Sequence, residues 1–165
     1  MSWLGSFFNQ VLYVQLSPQR LMVRDPRSGR AFDEVPKVAI VRPPNAKAKI
    51  VGIGAQAHMA GPNVMVVNPF AHPLSLLSDF TVAEQLLKEA VRRVHHERLF
   101  VLAPRFVIHP QGDPEGGFTQ IEIRALQELG LGAGARTVEV WQGPALSDEE
   151  LLSHRFPAGG RLLSA

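Results

Sequence analysis

Phe106-Val107-Ile108-His109-Pro110, the loop Gln111–Gly117, Thr119-Gln120-Ile121-Glu122-Ile123-Arg124-Ala125 and Thr137-Val138-Glu139-Val140-Trp141 form the stretch whose reading decides the fold. The first piece is an apolar strand ended by proline. The loop is polar and glycine-rich. A helix then runs from Thr119 to about Leu129, with Gly130, Gly132 and Gly134 expected to stop it. A second strand follows. Strand, helix and strand in this order predict parallel strands joined by a crossover helix.

Immediately upstream, Thr81–His96 is expected to form the longest helix. Val82, Leu86, Leu87, Ala90, Val91 and Val94 make one apolar face, with Glu84, Lys88, Glu89, Arg92 and Arg93 elsewhere. Downstream, Ser147–His154 reads as a short helix, and 156–165 as a flexible, loosely held tail. Thr81-x-x-Glu84, Thr119-x-x-Glu122 and Ser147-x-x-Glu150 each match a capping box. The first third of the chain reads as short strands: Val11–Leu16, Leu21–Arg24, Ala31–Glu34 and Val38–Val41, then Ile50–Ile53 and Val64–Val67. A short helix is expected over Ala55–Met59, and Asp25-Pro26-Arg27-Ser28-Gly29 supplies turn chemistry between two strands. The fold class is therefore α/β, a mixed sheet whose antiparallel meander continues into parallel βαβ units.

The chain has 165 residues, is 45% hydrophobic and 19% charged, and so suits one globular domain rather than disorder. It has no cysteine, which excludes a disulfide scaffold, a thiol nucleophile and cysteine metal sites. Seventeen basic against fifteen acidic residues leave +2, too little for a chain-wide nucleic-acid footprint, so no nucleic acid is expected as a partner. Met1–Gln10 carries no Lys or Arg, unlike a secretory leader. A cytoplasmic protein is the expectation.

Several local words resemble the N-terminal half of the MreB family, the rod-shape-determining bacterial actins. They are Val35-Pro36-Lys37-Val38-Ala39-Ile40, Ser78-Asp79-Phe80-Thr81-Val82-Ala83-Glu84, Pro104-Arg105, Thr119-Gln120-Ile121-Glu122-Ile123-Arg124-Ala125 and Gly132-Ala133-Gly134-Ala135-Arg136-Thr137-Val138. The resemblance implies an actin-like (ribonuclease-H-like) domain. Residues 11–34 and 68–155 would form subdomain IA, 35–67 an inserted small β-rich lobe like subdomain IB, and 1–10 an N-terminal amphipathic segment.

The same resemblance places a phosphate-gripping turn at the first hairpin, where the family carries an Asp that orders Mg²⁺ waters. Here the stretch reads Gln15-Leu16-Ser17-Pro18-Gln19-Arg20. Gln15 lacks the charge, Pro18 lacks an amide donor, and Ser17 alone retains a hydroxyl. Glu122 matches the family's water-orienting catalytic Glu, yet a capping box already accounts for it. Asp79 is expected to cap or precede a helix rather than bind metal. No cofactor and no metal are expected. The six histidines are scattered, and the adjacent His95 and His96 cannot share a ligand face. Arg92, Arg93, His95, His96 and Arg98 read as the solvated, cationic end of a helix.

Trp3, Leu4, Phe7 and Phe8 form one stripe of a helix. It has two readings, contact with the inner membrane or packing against the domain core. With no Lys or Arg opposite, membrane contact would rest on apolar burial alone.

The function expected is that of a non-enzymatic, MreB-like half-protein of the cell-shape machinery, peripheral on the inner membrane if the stripe binds there. Its partners would be full-length bacterial actin, a second copy or the membrane surface. Two alternatives stand beside it: one lobe of a split actin-like ATPase completed by a separately encoded lobe, and an actin-like adaptor of a membrane assembly machine.

Overall fold

The computed structural model describes residues 10–59, 61, 63–95 and 102–164. The stripe Trp3, Leu4, Phe7 and Phe8 lies outside the described residues, as do His96 and Arg98.

Three strands open the chain: β1 (Val11–Leu16), β2 (Leu21–Arg24) and β3 (Ala31–Glu34). They form an antiparallel meander in which Leu16 faces Leu21 and Leu21 faces Glu34. A second sheet follows, built from β4 (Val38–Val41), β5 (Lys49–Ile53) and β6 (Met65–Val67), with a 3-10 turn over Gly54–Met59. Helix α1 (Phe80–His95) returns the chain to the first sheet as β7 (Arg105–Pro110). Helix α2 (Gln120–Gly132), β8 (Thr137–Gln142), α3 (Asp148–Ser153) and β9 (Arg161–Leu163) complete it.

The main sheet has the order β3-β2-β1-β7-β8-β9, and the small sheet the order β5-β4-β6. The pairs β1–β7 and β7–β8 are parallel, with Leu12 opposite Phe106 and Val107 opposite Glu139. Both central strands are buried along almost their whole length. That pattern requires a cover on each face. On one face Leu12, Val14, Phe106 and Ile108 pack with Leu86, Leu87 and Ala90 of α1 and Leu126 of α2. On the other, Tyr13, Val107 and Trp141 pack with Leu146 and Leu151. Val38, Ile40 and Ile53 of the small sheet belong to the same core as Leu12 and Leu86.

The capping boxes at Thr119 and Ser147 form with both reciprocal bonds. The one expected at Thr81 does not. Helix α1 begins one residue earlier, and the Asp79 carboxylate accepts from Val82 N at 3.0 Å. A charged acceptor already positioned at the N-terminus outcompetes a hydroxyl two residues on, and Glu84 pairs instead with Lys88 at 2.7 Å. Helix α2 also runs through Gly130 to Gly132 rather than stopping near Leu129. A Cβ at Gly130 would sit 2.6 Å from Val138 Cγ2, so glycine is there to let the helix lie close on the sheet. The turn comes at Gly134, whose φ is +104°.

The tail expected to be loosely held pairs instead. β9 lies antiparallel to β8, with Trp141 opposite Leu162 and Gln142 opposite Arg161. Phe156 stacks on Trp141 with ring centroids 5.2 Å apart. Packing of the half-buried Phe156 on the buried Trp141 gives the tail an anchor that its Gly159-Gly160 composition conceals. Among the described residues no helix is long and apolar enough to cross a membrane.

Candidate functional site

The carboxyl ends of parallel strands are where open α/β sheets bind ligands. At the end of β1, the turn 17–20 is tied to itself. Ser17 N donates to Arg20 O at 2.9 Å. Gln19 N and Arg20 N both donate to Ser17 Oγ, at 3.2 and 3.0 Å. Pro18 has no N–H, and its carbonyl accepts from Asn68 Nδ2 at 2.7 Å. Every main-chain donor of the turn is therefore already used inside it. The nearby cation is engaged too: Arg20 grips Asp33 through two bonds of 2.7 Å, which raises its own pKa and lowers that of Asp33.

Gln15 points to the face opposite α1 and α2, where its Nε2 donates to the Tyr13 hydroxyl at 3.2 Å. Leu146 N donates to the same oxygen at 3.2 Å. With two bonds accepted, the hydroxyl's own proton goes to His109 Nδ1, 2.6 Å away. We assign His109 as the neutral Nε2–H tautomer on that basis, in agreement with its bond to the Gly143 backbone. Burial holds the imidazole below its ordinary pKa and pushes the Tyr13 phenol up. The network is a buried polar strut joining β1, β7 and the residues leading into α3.

A cleft of ≈ 960 Å³ opens beside the hairpin rather than at it, lined by the ends of β7 and β8, the loop 111–117 and residues 158–161. Across it, Arg161 donates twice to Gln142 Oε1 at 3.1 Å, and Gln142 Nε2 donates to Asp113 at 2.6 Å. Among the described residues that line the cleft, the one buried titratable group, His109, is spent on Tyr13, and no nucleophile stands beside a free base.

Glu122 closes the α2 capping box: Thr119 N and Thr119 Oγ1 donate to its Oε2 at 2.9 and 3.0 Å. Asp79 caps α1. Among the described residues no group of three or more His, Asp or Glu has an arrangement that holds a metal ion.

A second polar cluster escaped the reading of the sequence. Arg105, at the start of β7, donates to Glu139 of β8 and to Leu151 O of α3, the latter at 3.0 Å. The other oxygen of Glu139 meets His154 Nε2 at 2.7 Å. Arg24 reaches the same region, donating to Leu146 O at 3.2 Å and pairing with Asp148 at 3.1 Å. The available signal was a charged residue set into an apolar strand, Glu139 within β8 and Arg105 and Arg24 at the ends of β7 and β2.

The element order and the sheet order point the same way, and the model of the MreB/Mbl protein family matches residues 14–147. The chain belongs to the MreB/Mbl family. The cell shape-determining protein MreB of Haemophilus influenzae is 27% identical over 142 residues, which is 83% of this chain and 39% of that protein. Its namesake in Escherichia coli strain K12 is 28% identical over 146 residues, covering 85% of this chain and 40% of the relative. The chain thus spans about two fifths of the length of these MreB relatives. Among solved structures, MreB5 of Spiroplasma citri bound to ADP superposes with a TM-score of 0.62 at 17% identity, over 80% of this chain and 37% of that one. A non-polymerising MamK mutant bound to AMPPNP gives 0.61 at 18% identity, over 80% and 40%. These neighbours establish an actin-like fold.

Proposed function

We propose that this chain is a cell-shape protein of the MreB kind that works by binding other proteins, its own kind or a bacterial actin, and that its first hairpin does not support ATP hydrolysis. One observation carries the reading. The amides that a phosphate would need, those of Ser17, Gln19 and Arg20, are all bonded within the turn, and Pro18 offers none. Phosphoryl transfer relies on positioning and electrostatics, and Gln15 brings no charge to order a metal ion's waters. Glu122 acts as a helix cap on this reading, not as a catalytic base. The family and the actin-like fold supply the cell-shape context, since the MreB relatives are themselves cell shape-determining proteins.

The test is calorimetric titration of the purified protein with Mg-ATP, alongside the variant Gln15→Asp/Pro18→Gly. The wild type is expected to give no saturable heat, with the variant gaining at most weak binding. Micromolar affinity in the wild type would overturn the reading.

A further inference from the structure

Among the described residues, β5 pairs only with β4, which leaves the small sheet an open edge there. That edge does not face bulk solvent alone. It forms one wall of a groove of ≈ 450 Å³ whose other wall is the polar face of α1. Four consecutive residues of β5, Ile50 to Ile53, line the groove. The β4–β5 register shifts so that Ala39 faces Gly52 and Ile40 faces Ile50, leaving Val51 without a cross-strand partner. Val51 is half exposed. An unpaired strand edge beside a helix, with an apolar side chain projecting between them, is the geometry that receives an extended peptide as an added strand.

The charge on the helical wall narrows the partner. Lys88, Arg92 and Arg93 line the groove together with Glu89, and Glu84 of the same helix pairs with Lys88 at 2.7 Å. Glu89 is shared by both arginines, at 2.7 Å to Arg92 and 3.0 Å to Arg93, and Lys49 stands at the start of β5. Three cations against two carboxylates leave the helical wall net cationic by one charge, and the strand edge offers main-chain hydrogen bonds without side-chain demands.

We propose that the groove between β5 and α1 is a docking site for an extended acidic segment of a partner protein, which adds to the edge of β5 as a fourth strand of the small sheet. Main-chain pairing would supply affinity, and the cations of α1 would select for carboxylates and speed encounter. The site is independent of the hairpin at 17–20, so nucleotide binding and peptide binding can fail separately.

The probe is a fluorescein-labelled short peptide alternating Val with Glu, followed by anisotropy, with hydrogen exchange of the Lys49–Ile53 amides as a second readout. Saturable binding is expected, together with slowed exchange in β5. Lys88→Glu/Arg92→Glu, at two exposed positions, is expected to weaken it by about tenfold or more and to keep the wild-type circular dichroism spectrum. Methylating alternate peptide amides is expected to abolish binding. The proposal is overturned by no binding, by equal binding of the methylated peptide or of a Val/Lys counterpart, or by equal competition from oligo-dT. The last result would mark the groove as a site for polyanions in general.

Discussion

Glu139→Ala tests the buried polar cluster beneath α3. The substitution leaves the Arg105 guanidinium, whose side chain is 8% exposed, with its bond to Leu151 O and no counter-charge. Breaking a buried ion pair from one side costs about 3–5 kcal/mol. Here the remaining carbonyl and the 22% exposure of Glu139 reduce that to about 2–3 kcal/mol. His154 loses a partner as well, but its side chain is 50% exposed, and that pair adds about 0.5 kcal/mol at most. Urea unfolding followed by circular dichroism reads the loss directly. Arg105→Met/Glu139→Leu removes both charges and should recover most of the stability, because no ion is left unpaired. A single-variant loss below about 0.5 kcal/mol, or a double variant as unstable as the single, would refute the argument that this pair is buried and coupled.

Gly130→Ala gains about 1 kcal/mol of helix propensity but drives a methyl to 2.6 Å from Val138. Overpacking costs about 1–3 kcal/mol, so a net loss is expected in urea titration, and a gain in stability would show that α2 stands off the sheet. Thr119→Ala should cost about 1 kcal/mol, whereas Glu122→Gln keeps the box and should cost far less; equal losses would remove the capping account. Glu89 is held at about 2 by Arg92 and then Arg93, against an ordinary 4.5. Its folded pKa is depressed, so its contribution is complete above pH 4.5 and disappears as the pH falls to about 2. After solvent screening that amounts to about 1 kcal/mol, and the melting-temperature gap between wild type and Glu89→Gln should close across this window. Burial also depresses His109, so stability should drop as the pH falls below the ordinary histidine value of about 6.5. A wild type and a His109→Gln variant that lose stability in parallel there would rule out His109 as the titrating group.

Local chemistry was legible in the sequence. The boundaries of β1 to β4 coincide with apolar runs punctuated by Ser17-Pro18, Asp25-Pro26 and Pro36, because turn residues act within a few positions of themselves. The caps at Thr119 and Ser147 were readable for the same reason. At Thr81 the same rule misled, since two residues competed for one helix end and the pattern does not rank a carboxylate against a hydroxyl. What stayed hidden depends on distant partners. Tyr13 and His109 are 96 positions apart, and Arg105 and Glu139 are 34 apart. Neither pairing leaves a local trace. Gly130 looked like a helix stop because its reason lies across the sheet in Val138, and the tail looked unattached because Phe156 finds Trp141 only in three dimensions. At the hairpin, Gln15 and Pro18 announced an altered turn, but the inward bonding of its amides depends on how the turn closes on Ser17 Oγ and Arg20 O.

Because Val38, Ile40 and Ile53 sit in one continuous interior with Leu12 and Leu86, the small sheet has no seam along which to swing. A flapping motion would expose packed side chains to water at every stroke. The two sheets are therefore expected to melt together, and a transplant of residues 35–67 into another scaffold would leave behind part of the wall it leans on.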